Sequence, residues 1–186
     1  SLSALASIAV HQGDEAQQTL LEYAESAKRT RIRKESIFWL GQTRASTASA
    51  TILAFMFDDE NPEIREHAAF SWSQTDVENR DADLIRLGVN DASTKVRAQA
   101  WFWLSQTALP HSEVAITRAV ADDSSQYVRN QAVFALSQLP EDRALDALSD
   151  VIEDPKSNRR TRKQALFWLA DLDSDAAMEY LDKLLD

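Results

Sequence analysis

Apolar residues recur along this chain with the period of an amphipathic helix, and a second, longer period is superimposed on the first. An arginine followed five residues later by a phenylalanine occurs five times, at Arg33/Phe38, Arg65/Phe70, Arg97/Phe102, Arg129/Phe134 and Arg162/Phe167. The arginines stand at positions 33, 65, 97, 129 and 162, so the successive steps are 32, 32, 32 and 33 residues. A constant step of this length predicts an array of near-identical units that stack on one another.

The repeated arginine marks the beginning of the second helix of each unit. With the arginine as position zero and about 100° of rotation per residue, positions −1, +3, +7 and +10 fall on one side of a helix. Two units place these residues there: Val96, Ala100, Leu104 and Thr107, then Val128, Ala132, Leu136 and Leu139. Position +3 is small in every unit (Ser36, Ala68, Ala100, Ala132 and Ala165), which allows the partner helix to approach closely. The pattern predicts a stripe that faces the core.

A fainter apolar pattern predicts a first helix in each unit, at residues 16–27, 47–57, 82–89, 112–121 and 143–153. The apolar members of these helices are Leu20, Leu53, Leu84, Ile116 and Leu148. Polar, mostly acidic turns at 58–59, 90–91, 122–123 and 153–154 separate the first helix from the second. An acidic residue just before a helix accepts hydrogen bonds from free backbone amides, so we expect these residues to act as helix caps.

These elements predict an all-α solenoid of stacked antiparallel helix pairs, with about six units of 32 residues in one domain. The units lie near 1–12, 13–44, 45–76, 77–108, 109–140 and 141–172, and a terminal helix follows at 173–186. The chain opens in a second helix and closes in a first helix. We therefore expect a fragment of a longer array, or a subunit whose uncapped ends allow end-to-end self-association.

Composition narrows the classes of partner. The chain has no cysteine, so thiolate catalysis, disulfides and zinc–thiolate sites are excluded. Its net charge of −10 disfavours nucleic acid, although basic clusters occur at residues 28–34 and 156–163. The sequence shows no segment for membrane insertion and no export signal. A soluble protein is expected, and the pattern leaves a cytoplasmic and a periplasmic location equally open.

Candidate chemistry is sparse. His11, His67 and His111 are too scattered for a repeated metal site, which needs several ligands on one face. The paired aspartates at 58–59 and 122–123 recur in place as turn residues do, which argues against acid–base catalysis or a magnesium site. No glycine-rich phosphate loop and no nucleophile elbow is present. We therefore expect no enzyme activity, no metal and no cofactor.

The acidic turn, the following arginine, the small residue three positions on and the leucine seven positions on resemble the second helix of a HEAT repeat, of the short bacterial kind that includes phycobilin-lyase-like proteins. The resemblance implies a right-handed superhelix. It also implies a structural ladder of aspartates and arginines between successive repeats, in which Asp59 goes with Arg65, Asp91 with Arg97 and Asp123 with Arg129, and Arg33 holds the same position one unit earlier. In the last unit Asp154 lies eight residues before Arg162 and the turn is longer, which puts that contact in doubt.

Large aromatic and amide side chains occupy positions that do not face the core. Position +5 lies about 180° from the middle of the core stripe, where an amphipathic helix is ordinarily polar. The resemblance implies that second helices line the concave side of the array, so these residues would form ladders along a groove. We call the set the Phe/Gln/Trp surface and take it as the candidate partner-binding site: Phe38, Trp39, Gln42, Phe70, Gln74, Gln99, Phe102, Trp103, Gln106, Gln131, Phe134, Gln138, Gln164, Phe167 and Trp168.

This surface suits an extended peptide or a partner helix, because rigid aromatic rings offer contact area and a glutamine amide both donates and accepts hydrogen bonds. The favoured function is a protein-interaction scaffold. A structural alternative remains open, in which each phenylalanine packs against the next repeat and each glutamine bonds its neighbour. The functional alternative is a tetrapyrrole (bilin) lyase or chaperone subunit, which the lyase-like resemblance implies. A DNA-repair role would need a basic concave face that this composition does not provide.

Overall fold

The computed structural model of the chain describes residues 2–10, 13–42, 46–107, 110–172 and 174–185. These residues form α1 (Leu2–Val10), α2 (Asp14–Ser26), α3 (Thr30–Gln42), α4 (Ser46–Asp58), α5 (Pro62–Ser73), α6 (Arg80–Asn90), α7 (Thr94–Thr107), α8 (Pro110–Asp122), α9 (Gln126–Ser137), α10 (Glu141–Glu153), α11 (Arg159–Asp171) and α12 (Asp175–Leu185). No strand occurs within these ranges, and the predicted all-α fold of helix pairs is confirmed. None of these helices is long and apolar enough to cross a membrane.

The chain divides into two compact units, Ser1–Leu87 and Gly88–Asp186. In the first unit, α1 packs on α2 and α3, and α3 packs on α4 and α5. In the second, α7 packs on α8 and α9, α9 packs on α10 and α11, and α11 packs on α12. The second helices of successive repeats therefore lie side by side within each unit. The predicted repeat boundaries near 12, 44, 108 and 173 fall at or beside residues outside the described ranges, and the single array stays a prediction.

The core follows the predicted stripe. The small residues at position +3, which are Ser36, Ala68, Ala100, Ala132 and Ala165, are completely buried. Large neighbours close around them, including Ile64, Leu104, Leu136 and Leu169. The stripe is thus the seam along which each second helix packs, and its small residues set the close approach of the helices.

Two predicted core positions are wrong, since Thr107 of α7 and Leu53 of α4 are not buried. Leu53 of α4 is only half-buried, whereas Ile52 and Met56 are buried. These two residues are four apart and therefore share one helix face. The α4 sequence is apolar nearly all round, so its pattern alone does not show which side faces inward.

The repeated arginine bonds two repeats at once. Arg97 donates to the backbone carbonyl of Asp91 in its own repeat at 2.8 Å. Its Nε and Nη2 donate to the carboxylate of Asp123 in the next repeat, at 2.8 and 3.1 Å. In the first unit, Arg33 donates to the carbonyl of Ala24 at 2.7 Å and pairs with the carboxylate of Asp59. In both of these rungs the carboxylate comes from the following repeat, and the arginine of that following repeat donates to the backbone carbonyl of the same aspartate.

At the last repeat, the repeated arginine bonds a neutral amide in place of a carboxylate. Arg129 donates to the backbone carbonyl of Asp123 and to the amide oxygen of Gln126. Gln126 in turn accepts from Asn158 at 3.1 Å and donates to Thr161 at 3.2 Å, both in the next repeat. The turn before α11 is longer, but Asp154 still accepts from the backbone amide of Lys156, and Arg162 donates to the backbone carbonyl of Asp154 at 3.2 Å. The contact between Asp154 and Arg162 that the sequence puts in doubt is therefore present through the carbonyl.

The acidic turns cap the helices only indirectly. Asp59, Asp91 and Asp123 accept from the backbone amide two residues on, at 2.7–2.9 Å. The residue that receives this support, rather than the aspartate itself, is the N-cap where Asn61 precedes α5 and Ser125 precedes α9. At Asp59 and Asp123 the carboxylate thus shapes the turn and at the same time accepts from the arginine of the preceding repeat.

The Asp123 rung predicts a pH-dependent stability. Burial tends to raise the pKa of Asp123, but hydrogen bonds from Arg97 and the Ser125 amide, with the charges of Arg97 and Arg129, lower it overall. A lowered pKa stabilises the fold above the unfolded value and is lost as the pH falls through the folded value. We expect Asp123→Asn to reduce the free energy of unfolding by about 1.5–3 kcal/mol at neutral pH. The gap should begin to close below about pH 3.9, where the unfolded carboxyl is protonated, and should be lost as the pH falls through the lower pKa of the folded protein.

Urea unfolding at several pH values measures this difference. Asp122→Asn is the matched control, because Asp122 is the exposed neighbour in the same turn. A gap that stays constant down to acidic pH, or that is equal in the control, would contradict the proposed role of the carboxylate.

Gly88 predicts an unusual response to alanine. A Cβ added at Gly88 in α6 would lie 2.6–2.9 Å from three ring atoms of buried Trp101. Glycine to alanine inside a helix ordinarily stabilises by about 0.5–1 kcal/mol, whereas overpacking costs about 1–3 kcal/mol. We expect Gly88→Ala to lower the melting temperature. Gly41→Ala, whose Cβ would lie 3.3 Å from the Cβ of Ser71, is the milder comparison. A higher melting temperature for Gly88→Ala would show that the indole moves aside freely.

Candidate partner-binding surface

Four of the five repeated phenylalanines, Phe38, Phe70, Phe102 and Phe134, are half-buried and stack in pairs within each unit. Phe38 and Phe70 are parallel, with ring centroids 6.0 Å apart and an interplanar angle of 3°. Phe102 and Phe134 repeat this arrangement at 5.9 Å and 1°. Neither alternative from the sequence describes these rings completely. Phe38, Phe102 and Phe134 pack against an aromatic ring of the next repeat and still keep part of their surface in solvent.

The tryptophans at position +6 lie against these stacks. Trp39 and Trp103 contact the preceding phenylalanine edge-on, with ring centroids 5.2 and 4.8 Å apart. The indole of Trp39 also donates to the carboxylate of Glu35 at 3.1 Å. All three of Trp39, Trp103 and Trp168 are half-buried. The aromatic rows of neighbouring positions therefore form one partly exposed layer within each unit.

The glutamines at position +9 are oriented by their own helix. The hydroxyls of Ser73, Ser105 and Ser137 donate at 2.7 Å to the carbonyls of Phe70, Phe102 and Phe134. Because its proton is used in this way, each hydroxyl accepts a hydrogen bond from the next residue. The amide nitrogens of Gln74, Gln106 and Gln138 donate to it at 3.1–3.3 Å. All three glutamines are exposed, so each presents its amide oxygen on the outer side.

The serines in this arrangement belong to the candidate surface, and the sequence interpretation overlooked them. The signal is present as a repeated Phe-x-x-Ser-Gln at 70–74, 102–106 and 134–138. The first repeat departs from it, because Gly41 stands where the others have serine, and Gln42 is exposed there. Three of the four glutamines predicted at position +9 thus have a common hydrogen-bonded geometry.

Position +2 contributes polar groups closer to the helix seam. Gln99, Gln131 and Gln164 are half-buried, and in the first unit the same position holds Glu35 and His67. Burial lowers the pKa of His67, and the positive charge of Lys34 lowers it further, which favours a neutral imidazole. Its ring lies 5.7 Å from that of Phe70. His67 therefore belongs to the aromatic layer.

The last second helix departs from the pattern of the others. Phe134 contacts the indole of Trp168 at 4.8 Å, and Phe167 contacts Trp168 edge-on at 5.0 Å. Phe167 is 59% exposed, whereas the other four phenylalanines of the row are half-buried. This change coincides with the longer turn before α11, which lies within the one 33-residue step between repeated arginines. Phe167 is thus the most accessible aromatic side chain on the Phe/Gln/Trp surface.

Metal chemistry finds no support in the described part of the chain. No group of three or more His, Cys, Asp or Glu side chains there could hold a metal ion. His11 lies outside the described ranges, and His111 is exposed on α8.

The comparison with known families addresses the repeat itself. Residues 82–166 match a family model described as HEAT repeats. This part of the chain carries HEAT repeats. These repeats form a helical repeat scaffold. No curated protein matches the sequence. Among solved structures, human deoxyhypusine hydroxylase in complex with glycerol is similar over 99% of this chain and 83% of that chain, with 14% identity and a TM-score of 0.44.

The stacked phenylalanines predict a measurable coupling. Each of Phe102→Ala and Phe134→Ala should destabilise the HEAT-repeat fold by less than the roughly 3–5 kcal/mol of a fully buried phenylalanine. The double variant should reveal a coupling of about 0.5–1.5 kcal/mol, because either single change already removes the ring contact. Urea unfolding of the four proteins gives the cycle. Phe102→Ala combined with Met178→Ala, an exposed residue of α12, serves as the uncoupled pair. A coupling near zero for the two phenylalanines would show that the stack contributes nothing to stability.

Proposed function

We propose that this HEAT-repeat chain is a non-catalytic scaffold that binds an extended peptide, or a partner helix, along the Phe/Gln/Trp surface. The observation that carries the proposal is the repeated orientation of Gln74, Gln106 and Gln138 by the preceding serine. A hydrogen-bond acceptor held at the same place in successive repeats matches a partner that also repeats its polar groups, and a peptide backbone does so.

The chemistry of recognition follows from this geometry. One N–H of each oriented glutamine donates to serine, which leaves the amide oxygen and the second N–H for a partner. The oxygen accepts from a backbone N–H of the bound segment. The half-buried rings beside it, such as Phe102 and Trp103, supply apolar contact at a small cost in side-chain entropy. The glutamine amides of the surface thus bind the backbone of a partner, and its aromatic rings bind the apolar side chains of that partner.

Two features favour protein over the other partners that the sequence leaves open. In the second unit the surface is built from neutral side chains between Gln99 and Gln138, and the whole chain carries a charge of −10, which disfavours a polyanion. The stacked phenylalanines occupy one another's faces at 5.9–6.0 Å. They leave their edges for a partner, which suits side chains better than the broad face of a tetrapyrrole.

Selection from a displayed library of random peptides tests the proposal. We expect enriched peptides to bind the purified chain and to weaken by about tenfold or more with Gln106→Ala plus Gln138→Ala, since two hydrogen bonds of about 0.5–1.5 kcal/mol each are lost. Both residues are exposed, so the variant should retain the melting temperature of the parent.

Gln18→Ala is the matched control, because Gln18 is an exposed glutamine of first helix α2. Peptides that bind the parent, the double variant and the control equally well would place the interaction elsewhere. A library that yields no specific binder would refute the proposed peptide-binding function.

A further inference from the structure

The exposed face of α11 combines positive charge with the accessible aromatic ring of the Phe/Gln/Trp surface. Arg160, Lys163 and Phe167 are all exposed. At about 100° per residue these positions lie within about 60° of one another on the helix. The three side chains therefore share one side of α11, with the two cations toward its N-terminus.

The cations on this face lack partners within the described part of the chain. Arg159, Arg160 and Lys163 are exposed, and none of them contributes to an ion pair there. The nearest upstream carboxylate, that of Asp154, accepts from the Lys156 amide, and Asp171 lies at the far end of the helix. Unpaired cations in an otherwise acidic chain are free to meet an acidic ligand.

The position of these cations also opposes the helix dipole. The first turn of α11 contains no acidic residue, as is also the case for the second helices α3, α7 and α9, whereas α2, α6, α10 and α12 begin with aspartate or glutamate. Positive charge at a helix N-terminus is unfavourable, because the backbone N–H groups there already carry partial positive charge. A local arrangement that weakens its own helix is often retained for binding. A carboxylate on a partner would be attracted by both the side chains and the helix end.

We propose that the α11 face of Arg160, Lys163 and Phe167 is the docking site for an acidic segment of a partner protein, in which carboxylates precede an aromatic or aliphatic side chain. This inference rests on the proposed peptide-binding function and specifies the chemistry of its ligand. The carboxylates pair with Arg160 and Lys163, and the apolar side chain contacts the ring of Phe167.

The helix geometry sets the spacing of the ligand. Residues 160 and 167 are seven positions apart, which is about 10 Å along a helix axis. An extended segment covers this distance in about three residues. The acidic residues should therefore lie about three positions before the apolar residue. The few cations on α11 and the charge of −10 on the whole chain favour a peptide of this kind over a nucleic acid.

Fluorescence anisotropy with a labelled peptide tests the inference. The probe carries Asp-Glu-Asp-Ser-Gly-Trp between short Gly-Ser flanks, and a second probe replaces its three acidic residues by serine. We expect the acidic probe to bind the complete chain and to weaken with rising salt, because exposed charges are screened. Arg160→Glu with Lys163→Glu should weaken binding by about tenfold or more, and Phe167→Ser should weaken it as well.

Arg118→Glu with Lys95→Glu is the matched control. It makes the same change in net charge, both residues are exposed, and Lys95 has the same offset from its repeated arginine as Arg160. Binding to this control should equal binding to the parent. The α11 charge-reversal variant should melt at the parent temperature or higher, because acidic residues at a helix N-terminus are favourable. Loss of binding by a stable protein then reflects the lost contact.

Three results would overturn the inference: equal binding by the parent and the α11 charge-reversal variant, equal binding of the serine probe, or tighter binding of a single-stranded oligonucleotide that depends on Arg160 and Lys163. Library-selected peptides separate this failure from that of the proposed function. If they depend on Gln106 and Gln138 but not on the α11 cations, the peptide scaffold stands and only the acidic docking site is refuted. If no displayed peptide binds at all, the proposed function fails first.

Discussion

The guanidinium of the repeated arginine joins consecutive repeats, because a side chain that begins on one second helix ends on the carboxylate of the following turn. In the second unit Arg97 bridges the carbonyl of Asp91 and the carboxylate of Asp123, and each bond is shorter than 3.2 Å. Charge-assisted bonds of this kind are both strong and directional. They fix the first turn of the second helix relative to the next repeat. The phenylalanine five residues later is thereby brought level with its counterpart, and the rings stack.

The last repeat shows how far the surface depends on this arginine. Where Arg129 meets Gln126 instead of a carboxylate, the contact to α11 passes through neutral amides and a hydroxyl. The aromatic contact changes in the same repeat, since Phe134 meets Trp168 and leaves Phe167 exposed. The rung and the ring stack are therefore linked, because both are set by the position of the second helix relative to its turn.

The helices and the core seam could be predicted from the sequence, since both depend on local periodicity. The five predicted first helices agree with the structure within two residues at each end, because polar turns separate them from the second helices. The apolar positions of second helices such as α7 and α9 are buried as expected. Helix α4 is the exception, since an almost uniformly apolar segment has no periodicity to interpret, and Leu53 was misplaced.

The candidate surface was predictable in its residues but not in its contacts. The position opposite the core seam of one helix is also the position that a neighbouring repeat approaches, and a single-helix pattern cannot distinguish solvent from a neighbour. Phe102 is half-buried because one part of its ring contacts the neighbouring repeat and another part contacts solvent. The carboxylate partner of Arg97 was likewise hidden, because it lies 26 residues away in the next repeat. The serine that orients each glutamine was visible as a repeated motif but has meaning only once the hydroxyl proton is assigned.

That assignment bears on how selective such a surface can be. A flexible glutamine can rotate its amide to suit almost any neighbour, and such adaptability blurs the distinction between ligands. When serine holds the nitrogen of Gln106, rotation would break an existing bond, so the oxygen stays where it is. Little rotamer freedom is then lost on association. A ligand whose N–H groups are out of register cannot be accommodated by side-chain movement, and discrimination among sequences comes from rigidity rather than from additional contacts.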